Sequence, residues 1–264
     1  MIFGRNRTVR HEQVVLPDQL KDERDRQVEA EAGAAAAPGE GARGPHDVAA
    51  RPGTSGYVDL GGLRVPAVRG MKLRLDLEDA TQRIVAVTVT MGRSALQIQA
   101  FSAPRAAGLW DELRAELLET LSATPGAQVQ EQRGTFGAEL LTRVPASLPD
   151  GSPGWNVARF VGVDGPRWFV RGVFHGEAAY QPDAAADLER VLSGVVVVRG
   201  GGPLPPRDLL PLHPPADAQP VRRRRPTEPG RDVLGAGRGD APAAEGGAAD
   251  PTLPGRGPEM TETR

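Results

Sequence analysis

Residues 84–91 (IVAVTVTM) and 94–101 (SALQIQAF) flank Gly92-Arg93, and this stretch constrains the fold more tightly than any other in the chain. Glycine at the first central position suits a two-residue type II′ hairpin, whose positive first φ glycine adopts without steric cost. That loop pairs Met91 with Ser94, Val89 with Leu96, Val87 with Ile98 and Val85 with Ala100. These residues share one largely apolar face. Thr88, Thr90, Gln97 and Gln99 share the other. A slip of one residue would turn the apolar set to solvent, so turn and pattern fix one register. The Thr/Gln face is expected to be solvated, or else to line a groove for a peptide or ligand.

The rest of the central region extends this sheet. Residues 57–66 and 71–77 read as short strands ahead of the hairpin. Residues 105–122 place Leu109, Trp110, Leu113, Leu117 and Leu121 at helical spacing, with acidic residues mostly off that stripe. Pro125-Gly126 ends the helix. Residues 127–133 and 138–145 are strands around a glycine-flanked turn. Residues 155–163 and 167–174 flank Asp164-Gly165-Pro166, a further hairpin signal. Asp183 to Ser193 is a second helix, with Leu188, Val191 and Leu192 facing inward, and Val195–Val198 is a closing buried strand. Strands joined by hairpins, with two amphipathic helices, predict an α+β domain built on a mostly antiparallel sheet.

Composition bounds the domain. The 33 Gly and 25 Pro crowd toward the ends of the 264-residue chain. Such segments bury too little apolar surface to offset the entropy of ordering them. Residues 1–56 are therefore expected to be a disordered charged segment and linker, 57–200 the core domain, 201–212 a Pro-rich strap against it, and 213–264 a disordered tail. The core carries 15 basic and 16 acidic side chains, which disfavours nucleic-acid binding by the folded part. The 30 Arg against two Lys, beside so much Ala, Gly and Pro, point to a GC-rich genome rather than to arginine chemistry. The chain lacks cysteine, which removes disulfides, iron–sulfur clusters and thiolate metal sites and fits a cytoplasmic protein. It opens without the apolar run of a signal peptide, and no stretch approaches the ~18 apolar residues that span a bilayer.

Residues 59–70 (DLGGLRVPAVRG), 94–114 (SALQIQAFSAPRAAGLWDELR), 159–174 (RFVGVDGPRWFVRGVF) and 195–212 resemble an actinobacterial family, the domain of unknown function 3710. The resemblance covers residues 57–212. It implies no activity, because the family has none assigned, and it carries over no catalytic residue. The order of elements also resembles the Mog1/PsbP-like layout, a likeness of architecture that says little about function.

Catalytic signatures are missing. The four His (His11, His46, His175, His213) form no HExxH or paired spacing, and His175, just past a strand, reads as a surface or hairpin-end residue. There is neither a GxSxG elbow nor a phosphate-binding GxxxxGK[ST] loop, and Ser94 faces the core on the hairpin register. Asp164 reads as a turn residue. No metal and no cofactor is expected.

The most suggestive cluster is Arg159, Arg167, Trp168 and Arg171. A three-residue loop at 164–166 sets Arg159 directly opposite Arg171. Like charges so placed need a carboxylate such as Glu139 or Glu177, solvent, or a bound anion. Two further ideas concern the tails. Arg5, Arg7 and Arg10 behind Met1-Ile2-Phe3 would give weak contact with an anionic membrane. Arg222–Arg225 suits an acidic partner or RNA. The expectation is a non-enzymatic cytoplasmic binding or accessory module, with an unidentified protein as a possible partner. The alternatives are an enzyme acting on an anionic small molecule near Arg159 and Arg171, and a membrane-surface factor.

Overall fold

The computed structural model describes residues 9–14, 44–105, 108–148 and 150–215. The strands are β1 (Val9–Val14), β2 (His46–Asp47), β3 (Tyr57–Asp59), β4 (Leu63–Pro66), β5 (Lys72–Glu78), β6 (Ile84–Met91) and β7 (Ser94–Ser102). Helix α1 (Trp110–Ser122) follows, then β8 (Gln128–Gly134), β9 (Gly137–Ser147), β10 (Pro153–Gly165) and β11 (Trp168–Gly176). A 3-10 turn (Glu177–Ala179), helix α2 (Pro182–Gly194) and β12 (Val196–Val197) complete the described elements.

Eight strands form one antiparallel sheet in the order β1-β5-β6-β7-β11-β10-β9-β8. At its centre the β6–β7 hairpin pairs Met91 with Ser94, Val89 with Leu96 and Val87 with Ile98, the register its turn dictates. Gly92 has φ +56°, which a type II′ turn requires. Val87, Val89, Leu96 and Ile98 are fully buried, while Val85, next along that face, is half-buried. A second, four-stranded sheet has the order β2-β12-β4-β3. The closing strand β12 thus belongs to the second sheet, paired antiparallel to β4 and parallel to β2.

The main sheet is covered on both faces. On one, Leu73, Leu75, Val89, Leu96, Ile98, Val170 and Phe174 join Leu188, Val191 and Leu192 of α2 and Val58, Leu63 and Val65 of the second sheet. On the other, Phe101, Leu140 and Phe169 lie under Trp110, Leu113 and Leu117 of α1. Helix α1 begins at Trp110 rather than at residue 105, because a remote carboxylate sets its start. Asp164 of β10 accepts hydrogen bonds from the Leu109 and Trp110 amides at 2.6 and 3.1 Å. Two amides that a helix start leaves unpaired are satisfied from across the fold.

The N-terminal boundary differs from expectation. Residues 9–14 and 44–56 lie within the fold, not in a disordered segment. Strand β1 pairs with β5 over six residues, and Val14 is buried in the larger core. His46 and Asp47 pair with β12. Their low apolar content hid them, since backbone pairing at a sheet edge needs no apolar side chain. At the other end, the Leu210 amide donates to Ala100 O at 2.9 Å and Gly62 N donates to Pro211 O at 3.0 Å. The segment around Leu210 therefore hydrogen-bonds both sheets. The remainder of the expected tails lies outside the described residues.

Candidate functional site

The β10–β11 turn decides where the arginines go. Gly165 pairs with Trp168, so the loop is the two residues Pro166 and Arg167. Proline holds the first central position and Arg167 takes φ +64° at the second, the type II arrangement. This shortens the expected loop and shifts the register by an odd number of residues. Arg159 pairs with Phe174, and Arg171 with Gly162. An odd shift moves side chains to opposite faces, so Arg159 and Arg171 do not meet. The expected like-charge pair is replaced by two separate environments.

Arg159 lies on the α2 side, 8% exposed, between two carboxylates. Its NH2 group is 2.8 Å from Glu189 Oε1 and its NH1 group is 3.4 Å from Glu139 Oε2. NH2 also donates to Ala178 O at 3.3 Å, and the guanidinium carbon lies 4.2 Å from the centre of the Phe174 ring. Both acids are held in turn. Gln132 Nε2 donates to Glu139 Oε1 at 2.7 Å, and the Thr135 hydroxyl donates to Glu189 Oε2 at 2.6 Å. Glu139 is 2% exposed and Glu189 18%. Arg159 Nε is buried and makes no hydrogen bond among the described residues.

These groups line a cavity of about 270 Å³ between the β8–β9 hairpin, β10, the 3-10 turn and the start of α2. Two glycines make it possible. A Cβ on Gly134 would overlap the Glu139 carboxylate. Gly176 has φ +70°, and a Cβ there would overlap Arg93 O. Behind Gly176 the chain enters the 3-10 turn, where Ala178 N donates to Ser94 Oγ at 3.0 Å. Ser94 is therefore a core-facing anchor for the cavity wall. Half-exposed Tyr180 lines the cavity too.

Arg171 lies on the other face. Its guanidinium donates to Gln99 Oε1, and burial pulls its pKa down to about 10. The Thr/Gln face is more enclosed than a solvated sheet face. Asp76, 1% exposed, accepts from Thr88 Oγ1 at 2.8 Å, Gln97 Nε2 at 3.0 Å and Arg74 Nε at 2.9 Å. His11 Nδ1 is 2.8 Å from the same carboxylate. Thr88 is itself buried, because a buried carboxylate needs donors around it. His175 is half-buried; burial, and then the positive charge of Arg74, hold its imidazole below the ordinary value.

The other two members of the expected cluster support the scaffold. Trp168 is buried, and its Nε1 donates to Asp47 Oδ2 at 2.8 Å, tying β11 to the second sheet. Arg167 O accepts from Ala103 N and Arg199 Nε. Arg10 is exposed on β1 and donates to Gln82. Arg5, Arg7 and Arg222–Arg225 lie outside the described residues.

Sequence reasoning named Arg159 and Glu139 but missed Glu189, Gln132, Thr135 and Tyr180. A signal for Glu189 existed: it stands four residues after Ala185 and three before Leu192, on the inward side of α2. Among the described residues no group of three or more His, Cys, Asp or Glu could hold a metal ion. No helix among them is long and apolar enough to cross a membrane.

A search of curated proteins finds no match. A family model does match, and it begins at Gly44, where the chain enters the second sheet just ahead of β2. Its match over residues 44–220 spans two thirds of the chain, which therefore belongs to the family described as Protein of unknown function (DUF3710).

Proposed function

We propose that the protein is a non-enzymatic binding module and that the cavity beside Arg159 is its ligand site. The observation that carries this reading is an ion triad, Glu139–Arg159–Glu189, with Glu139 and Arg159 buried and Glu189 partly so, lining about 270 Å³ of space. A volume near the lower limit of ~300–1,000 Å³ suits a metabolite-sized ligand. The lining supports binding over catalysis. The three charged groups of the triad are engaged with one another, and the hydroxyl–carboxylate contact of Thr135 with Glu189 is already part of that network. An anion-processing site shared by Arg159 and Arg171 is disfavoured, because the two lie on opposite faces. The cytoplasm is the compartment this reading assumes, in keeping with a cysteine-free chain.

The test is NMR of the full chain against a mixed library of small amines, acids and neutral compounds. Amide signals of Gln132, Thr135 and Glu189 should move with at least one compound. If no compound of any charge moves them, the cavity is not a ligand site.

A further inference from the structure

We infer that this cavity takes a compact organic cation: an ammonium or guanidinium group on a short carbon chain. The inference rests on the cavity being the ligand site and assigns the chemistry of what enters it.

Charge comes first. Arg133, though at the cavity, belongs to the other face of the sheet, because its neighbour Gln132 is the residue paired with Glu139. The charged side chains directed to the cavity are then Arg159, Glu139 and Glu189. One guanidinium faces two carboxylates, an excess of one negative charge, with Glu139 and Arg159 buried. An anion entering would face both acids. Arg159 offsets that only in part, because NH2 already holds Glu189 and Ala178 O, NH1 holds Glu139, and one guanidinium stands against two acids.

Hydrogen bonding points the same way. Each carboxylate oxygen receives one donor: Gln132 and Arg159 on Glu139, Thr135 and Arg159 on Glu189. An ionised carboxylate has about four acceptor sites, so acceptor capacity remains on both. An ammonium brings three donors and no acceptor, and a guanidinium five. Neither needs a donor that the site has already used.

The apolar part of the ligand has a place as well. Ala178, Ala179, Ala185 and Leu141 supply short apolar wall, which leaves room for a carbon chain. Half-exposed Tyr180 offers an aromatic ring, and ring faces attract cations. The acid left most open is Glu189, at 18% exposure against 2% for Glu139, so Glu189 is the group a cation meets.

The experiment compares three four-carbon probes of one shape on the full chain: butylamine, 1-butanol and butyrate. NMR titration follows the amides of Thr135, Tyr180 and Glu189. Butylamine should bind about tenfold tighter than 1-butanol, and butyrate weakest, as expected for one extra attractive charge beside a partly buried carboxylate. Glu189→Gln keeps an acceptor for Thr135 and should weaken butylamine about tenfold, far more than it weakens 1-butanol. Butyrate binding as tightly as butylamine would overturn the inference and leave the binding reading standing. So would a Glu189→Gln variant, shown folded by circular dichroism, with unchanged amine affinity. The wild-type ranking decides the matter even if the variant does not fold. Should none of the three probes move these signals, the inference fails, and the mixed library decides whether the cavity binds anything else.

Discussion

Arg159 occupies a position where apolar side chains of similar volume would cost less. Desolvating a guanidinium and two carboxylates consumes most of what their attraction returns. Removing Arg159 alone is worse, since it strands Glu139 and Glu189 beside each other. Arg159→Met should lower stability by about 3 kcal/mol or more, read as a shift in the urea midpoint. The triple change Arg159→Met, Glu139→Leu and Glu189→Leu should recover most of that loss. A triple variant weaker than the single one would mean that the triad stabilises the fold and need not be retained for binding. His175 makes a different residue-scale prediction. Its folded pKa is below 6.5, so as pH falls the unfolded chain takes up the proton first. The stability it contributes is complete above 6.5 and is lost as pH falls through the lower folded value. Urea midpoints should drop as pH falls below about 6.5, and His175→Gln should lessen the drop. An undiminished drop in the variant would place the pH sensitivity elsewhere.

At the scale of elements, the two hairpins of the sheet centre explain what was legible in the sequence. The β6–β7 hairpin carries its register twice, in the glycine of its turn and in its alternating side chains, and both agree. The β10–β11 hairpin carries it only in the turn. Val161, Val163, Val170 and Phe174 face one way, but Phe160 and Phe169 face the other, toward α1. With apolar residues on both faces, no register is excluded by pattern. The deciding residue is Arg167 at positive φ, where arginine gives no sequence signal because glycine or asparagine is usual there. The same gap hid the cavity: Glu189 is near Arg159 only once the true register is known. Strand β1 was hidden for another reason, since Val9 and Val14 are its only apolar residues. A left-handed L-residue costs roughly 1–2 kcal/mol that glycine does not. Arg167→Gly should therefore raise stability by about 1 kcal/mol, while β-branched Arg167→Val should lower it. A fall with glycine as large as that with valine would show that the Arg167 side chain, not its backbone, holds the turn.

For the whole molecule, the question is whether the two sheets unfold together. Several connections join them. Trp168 of β11 bonds Asp47 of β2. Core residues of β3, β4 and β12 pack with those of β5, β6 and β7 in one cluster. The segment around Leu210 bonds Ala100 at the end of β7 and, through Pro211, Gly62 before β4. Leu210 is 1% exposed and belongs to that cluster, so its side chain plugs the seam its backbone bridges. Leu210→Ala should cost about 2–5 kcal/mol, the range for truncating a buried leucine. If the sheets form one cooperative unit, the loss spreads beyond the seam. Amide hydrogen exchange should then accelerate by the same factor at Val65 of β4, Ile98 of β7 and Val173 of β11. Acceleration confined to Leu63–Val65 would instead make the second sheet a separate unit, able to open while the Arg159 cavity, whose lining comes entirely from the main sheet, the 3-10 turn and α2, stays closed.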